Sequence, residues 1–133
     1  MKHLSLLLFA CLFIYSCADT TQQEKNLLND ILKVHDKVMN HDEALMKNKM
    51  KLDTLLKQKK DTTIVKELSG KIASADDAMG SWMSKFQPDM TGKSHDEVMK
   101  YYNEQKKQVM AIDSQINLAI DESNKYFSTK KIK

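Results

Sequence analysis

The stretch that decides the fold is Asn26-Leu-Leu-Asn-Asp-Ile-Leu-Lys-Val-His-Asp-Lys-Val-Met39. Apolar residues recur in it at intervals of four, three and four positions, which is the spacing of one face of an α-helix. These residues are Leu27, Ile31, Val34 and Val38. The residues between them are mostly polar or charged, so the stretch predicts an amphipathic helix with one buried stripe.

The same spacing extends in both directions along the chain. Leu45, Leu52 and Leu55 continue the stripe, and they predict a first helix from about Glu24 to Lys59. Two further segments repeat the pattern. The second predicted helix covers about residues 63–86, with N-cap candidates in residues 61–63 and the apolar residues Ile64, Leu68, Ile72, Ala75, Met79, Trp82 and Phe86.

The third predicted helix begins at a capping box, in which Ser94 stands three positions before Glu97, and it runs to about Ser128. A loop containing Pro88 and Gly92 covers residues 87–93 and precedes this helix. Gly70 favours a break inside the second helix, because glycine costs about 1 kcal/mol relative to alanine there.

These elements predict an all-α protein, folded as an antiparallel three-helix bundle over residues 24–128. A coiled-coil oligomer is the structural alternative, because the first and third predicted helices each exceed 30 residues. Residues 129–133 form a basic tail. No strand-like alternation of apolar and polar residues appears in the sequence.

An export signal precedes the helical domain. Lys2 supplies a positive start, and residues 4–15 form an apolar run that is too short to span a bilayer as a helix. The run ends in Ile14-Tyr15-Ser16-Cys17, which resembles a bacterial lipobox in its aliphatic residue, small residue and cysteine; Tyr15 stands where a small residue is usual. The resemblance implies cleavage before Cys17 and lipidation of its thiol. A soluble exported form, cut after Ala18, is the alternative.

As a whole, the chain resembles the small helical lipoproteins of Gram-negative bacteria, a group of unknown molecular function. The resemblance rests on residues 2–17 and on the helical pattern that follows. It implies a signal peptide at residues 1–16, a lipidated cysteine with a tether at residues 17–23, and a membrane-anchored protein of the cell envelope, facing the periplasm or the surface. It transfers no functional residues.

Composition excludes several classes of function. Cleavage before Cys17 removes Cys11, and lipidation consumes Cys17, so the remaining 117 residues hold no thiol for a disulfide or a redox pair. Every basic residue is Lys, and the absence of Arg argues against a nucleic-acid partner. No nucleophile elbow, zinc-protease motif or phosphate-binding loop is present, which predicts that the chain is not an enzyme.

A repeated string is the one chemical peculiarity of the sequence. His-Asp-x-Val-Met occurs at residues 35–39 and again at residues 95–99, and the spacing puts His35 beside Met39 and His95 beside Met99. Counting residues from the turn near Asp61 places both histidines and Met83 at similar depth. Imidazole and thioether ligands suit Cu(I), so His35, Met39, His95 and Met99 are candidate copper ligands, with Met83 and His41 as further candidates.

The structural interpretation competes with the metal site. Methionine on an amphipathic face ordinarily fills gaps in a core, and residues 94–97 serve the start of a helix through capping and the helix dipole. Two functional hypotheses follow. The first is an envelope lipoprotein with a non-enzymatic structural or protein-interaction role, bound to a protein partner or to a second copy. The second is an envelope copper-binding module.

Overall fold

A computed structural model describes the backbone of residues 2–130 and the side chains of residues 19–130. Every regular element in this part of the chain is an α-helix, which confirms the all-α prediction. The described side chains include all the candidate metal ligands, whereas that of Cys17 lies outside them. The helices are α1 (Lys2–Met39), α2 (Asp42–Lys57), α3 (Thr62–Lys85) and α4 (His95–Thr129).

A bend at Asn40 and His41 divides the first predicted helix into α1 and α2, so the prediction of one continuous helix over residues 24–59 is wrong. The His41 amide donates to the carbonyl of Val38 at 2.9 Å, a tightened turn that ends α1. Asn40 and Asp42 favour a break at this point, because both are poor residues for a helix interior. At its other end, α1 continues through the residues assigned to a tether.

The second predicted helix corresponds to α3, which is uninterrupted at Gly70. Its buried stripe begins at Val65, whereas Ile64, which the spacing assigned to the core, is exposed. Asp61 precedes the helix but makes no capping bond, because its backbone is left-handed with φ of 43°. Its carboxylate instead accepts hydrogen bonds from Tyr126 on α4 and from Lys130, which follows α4.

The capping box that begins α4 is confirmed. The amide of Glu97 donates to the Ser94 hydroxyl at 3.4 Å, and the amide of Ser94 donates to the Glu97 carboxylate at 2.9 Å. Two orphan donors of the first turn are therefore satisfied by one pair of side chains. The connection before this helix occupies residues 86–94, close to the predicted loop.

One hydrophobic core is shared by all four helices. Helix α4 contacts each of the others, and α3 also packs against α2. A buried polar contact interrupts this apolar interior, where the Asn48 amide donates to the Ser123 hydroxyl at 2.8 Å. The largest fully buried apolar side chains come from all four helices and are Ile31, Leu45, Leu52, Val65, Ile72 and Val109.

Three polar side-chain pairs connect α1 to α4 along their length. His95 contacts Glu24, Lys106 donates to Asp30 at 2.7 Å, and Lys37 donates to Asp113 at 2.7 Å. Each partner in these pairs is at least partly exposed, so each pair contributes modestly to stability. These pairs show which residues of α1 lie beside which residues of α4.

Candidate functional site: a methionine cleft at the helix bend

His35 lies half-buried on α1, close to the side chain of Trp82 on α3. The two ring centroids are 6.0 Å apart and the rings are tilted by 34°. The Nδ1 atom of His35 is 3.1 Å from the carboxylate of Asp36, its neighbour in sequence. This histidine is therefore occupied by one aromatic contact and one local polar contact.

His95 lies in the first turn of α4, and its Nδ1 atom is 2.8 Å from the Glu24 carboxylate on α1. Glu24 precedes His35 by eleven positions on the same helix, which corresponds to about 16 Å along the axis. The two histidines are therefore about three turns apart, and not at the similar depth that the residue count predicts. The count assumed that the predicted helices reach the same level, whereas α4 extends beyond the end of α3, with the 86–94 connection between them.

The structure brings together a different set of side chains at the bend between α1 and α2. Met39, Met79 and Met83 line one cleft with a volume of about 80 Å³. Two carboxylate residues, Asp42 and Asp76, line the same cleft. Three thioethers and two carboxylates thus line one cleft beside the bend between α1 and α2.

Local sequence explains how this cleft forms. Met79 and Met83 are four residues apart on α3, so their side chains lie on one face a single turn apart. Met39 is the last residue of α1, and the bend that follows carries Asp42 into the first turn of α2. Gly80 lies between the two α3 methionines and presents no side chain to the cleft that it lines.

The three methionines differ in exposure. Met79 is buried, with 5% of its surface exposed, whereas Met39 and Met83 are 42% and 43% exposed. The cleft is therefore lined by one buried and two exposed methionines. Asp76 also faces Lys49, whose Nζ atom is 3.9 Å from its carboxylate, so part of its charge is balanced within the protein.

Two of the six predicted metal ligands, Met39 and Met83, line this cleft, and the other four do not. His41 lies half-buried at the bend itself, and Met99 lies half-buried on α4 one turn after His95. Met79 was missed, because its place in the apolar stripe of α3 indicates core packing. The four-residue spacing of Met79 and Met83 was the available signal, but the contribution of Met39 depends on the bend.

An aromatic cluster surrounds the nearby end of α3. Trp82 stacks on Phe86 with centroids 4.8 Å apart, and Phe86 in turn faces Tyr101 at 6.4 Å.

Two tyrosines of α4 bind the 86–94 connection. Tyr101 accepts a hydrogen bond from the Gln87 amide, and Tyr102 donates one to the Pro88 carbonyl. Burial raises the pKa of the Tyr102 phenol, so it stays a donor in the neutral range. The cluster fastens the 86–94 connection to the helices.

Conventional metal ligands do not cluster in the described part of the chain. No group of three or more His, Cys, Asp or Glu side chains among those residues is arranged to hold a metal ion. The methionine cleft has a different composition, with three thioethers and two carboxylates. Thioether sulfur prefers soft metals over Zn²⁺ or Mg²⁺.

Comparisons of the chain with protein-family models, with curated proteins and with solved structures gave no match. Within the described residues, no helix combines the length and the apolar character needed to span a bilayer.

Proposed function

We propose that the chain is an exported bacterial lipoprotein, anchored to the cell envelope through Cys17, whose helical domain has a non-enzymatic structural or protein-interaction role. The apolar run at residues 4–15 and its lipobox-like end support the anchor. The domain role is supported by a long helical body, in which ion pairs and an aromatic contact join neighbouring helices.

An up-down-up three-helix arrangement fits the contacts between helices. Residue numbers rise together along α4 and its partners, from the pair Glu24–His95 through Lys37–Asp113 to Asn48–Ser123. The bent pair of α1 and α2 would then run parallel to α4, and α3 would return in the opposite direction. In this arrangement the 86–94 connection and the α2–α3 connection lie at opposite ends.

The contact between Glu24 and His95 supports the proposed orientation, because it joins the first turn of α4 to a part of α1 that lies shortly after Cys17 in the sequence. Cys17 precedes Glu24 by seven positions, which is about 10 Å of helical rise. The end that carries the 86–94 connection would therefore lie close to the membrane. The opposite end, near Lys59, would lie about 50 Å away, because α4 is 35 residues long.

Exposed apolar side chains along this body support an interaction role, with a protein partner or a second copy in coiled-coil contact. Met50 is 68% exposed, and Ile64, Met110 and Leu118 are each more than half exposed. Single exposed apolar residues are common on soluble proteins. Here they are distributed over α2, α3 and α4, so several faces of the domain are available for contact.

Radiolabelled palmitate tests the anchor in cells. The wild-type chain is expected to incorporate the label, and a Cys17→Ala variant is expected to lose it. Cys11→Ala is the matched control and keeps the label, because Cys11 lies in the segment that is removed. Label that persists in the Cys17→Ala protein contradicts the anchor, and a mature chain that begins at Asp19 supports the soluble alternative.

Distance-dependent quenching tests the orientation of the domain. The lipidated protein, placed in vesicles that carry a nitroxide on the lipid headgroup, is labelled with a fluorophore at Thr91 or at Gln58. Strong quenching is expected at residue 91, which lies in the connection near the anchor. Weak quenching is expected at residue 58. Equal quenching at both positions contradicts the end-on arrangement.

A further inference from the structure

We propose that Met39, Met79 and Met83 bind a soft monovalent metal cation, Cu(I) in chemical class, in the cleft at the bend between α1 and α2. The site goes beyond the proposed envelope role and does not depend on Cys17, so either proposal can fail without the other. It also differs from the ligand set predicted from the sequence, because it contains no histidine.

Three methionines from two helices line the cleft. Met79 and Met83 lie one turn apart on α3, where the Cβ atoms of such a pair are about 5–6 Å apart. Met39 reaches the same cleft from the end of α1. Methionine side chains have three rotatable bonds, so three that line a cleft of about 80 Å³ can turn their sulfurs toward one ion.

Two of the three methionines are more exposed than methionine in an ordinary core. Methionine that fills a gap in a core is enclosed, as Met79 is with 5% exposure. Met39 and Met83 are each more than 40% exposed, so their thioethers contribute only part of their surface to packing. Both side chains are therefore accessible from solvent while they line the cleft.

The acidic side chains of the cleft favour a cation. Asp42 and Asp76 line the cleft together with the methionines, and a nearby carboxylate favours a bound cation. Lys49 offsets part of the charge of Asp76 at 3.9 Å. The remaining negative charge suits a monovalent cation. Thioether sulfur selects Cu(I) among the biological metals, whereas Zn²⁺ takes Cys, His or carboxylate ligands.

The methionine cleft is distinct from the metal site predicted at His35 and His95. His95 is held by Glu24 about three turns from His35, so the two imidazoles cannot share an ion in this structure. His35 is absent from the cleft lining, and its ring faces Trp82. Removing both imidazoles is therefore expected to leave the affinity of the cleft unchanged.

Competition for Cu(I) tests the site. The full-length chain is purified in detergent with Cys11→Ser and Cys17→Ser, because free thiols would bind Cu(I) themselves. It is titrated anaerobically against bicinchoninate, whose Cu(I) complex is coloured. In this background, Met39→Leu/Met83→Leu is expected to weaken binding at least tenfold. The matched control Met50→Leu/Met110→Leu removes two exposed methionines elsewhere and is expected to leave binding unchanged, as is His35→Ala/His95→Ala.

A second measurement needs no substitution in the cleft. Ag⁺ is a redox-inert substitute for Cu(I), and it is added to the same protein carrying ¹³C-methyl methionine. The methyl resonances of Met39, Met79 and Met83 are expected to shift together at one equivalent, and those of Met50 and Met110 are expected to stay in place. Uniform shifts of all methionines overturn the proposal. So does Cu(I) binding that Met39→Leu/Met83→Leu leaves intact, or that His35→Ala/His95→Ala abolishes.

Discussion

The Nδ1 atom of His95 lies 2.8 Å from a carboxylate oxygen of Glu24, joining the first turn of α4 to α1 across 71 positions of sequence. Both side chains are about 30% exposed. The contact decides two questions at once. It separates His95 from His35, and it places the 86–94 connection beside the part of α1 that follows Cys17.

Glu24→Ala is expected to lower the free energy of unfolding by about 1 kcal/mol, because it removes a partly shielded hydrogen bond to an imidazole. Urea unfolding followed by far-UV circular dichroism measures the change. Asp36→Ala is the matched control, since Asp36 contacts a histidine but is 77% exposed and bridges no helices. Its effect should stay within about 0.5 kcal/mol. Equal losses in the two variants would show that the Glu24 contact adds nothing.

Asn48 presents a second case of a contact between distant residues. Its buried amide donates to the Ser123 hydroxyl at 2.8 Å and to the Asn124 side chain at 2.9 Å. Asn48→Ala is expected to cost about 2 kcal/mol, because it removes one buried and one partly buried hydrogen bond. Asn103→Ala is the control, since the Asn103 amide donates to a backbone carbonyl of its own exposed turn. A loss at position 103 that matches the loss at position 48 contradicts the assignment.

Local signals in the sequence predicted most of the helices. Spacing of apolar residues and the Ser94–Glu97 capping box placed α4 to within one or two residues of its ends, because both signals act within a few turns. The bend at Asn40 and His41 was missed, because the stripe resumes in register at Leu45. A pattern of period 3.6 records which face is buried, and it carries little information about the direction of the axis.

The candidate site was less predictable than the fold, for the same reason. Met79 and Met83 are neighbours through a local spacing, but Met39 joins them only because α1 ends there and α3 passes beside the bend. The residue count predicted a similar depth for His95 and His35, and this prediction is wrong because the Glu24–His95 contact puts His95 about three turns from His35. Such pairings depend on packing between helices, which the sequence pattern does not encode.

Acid is expected to destabilise the protein through Asp61. Hydrogen bonds from Lys130 and Tyr126 hold the pKa of its carboxyl below the ordinary value of 3.8. Since the folded pKa is lower than the unfolded one, the stabilisation is complete above the unfolded value and is lost as pH falls through the folded value. The melting temperature of the wild type should therefore fall as pH drops below about 4.

Asp61→Asn tests this assignment, because an amide does not titrate. Its melting temperature should be lower than that of the wild type at pH 6, and the difference should shrink toward pH 2.5. Asp77→Asn is the control, because Asp77 is exposed and makes no ion pair among the described side chains. A difference between wild type and Asp61→Asn that stays constant over this range contradicts the assigned role of Asp61.

Ser94→Ala is expected to destabilise the start of α4 by about 1 kcal/mol, the usual cost of removing an N-cap hydroxyl. The change leaves the Glu97 amide without its acceptor and removes one half of the capping box.

Ser114→Ala is the matched control in the same helix, because the Ser114 hydroxyl donates only to the Met110 carbonyl at an exposed, mid-helix position. Alanine has the higher helix propensity there, so this variant should be neutral or slightly more stable. Hydrogen exchange distinguishes the two effects by location: Ser94→Ala should accelerate exchange of the Glu97 amide while leaving the amides around Ile116 protected. Acceleration spread evenly along α4 would indicate a global loss of stability without a specific role for the cap.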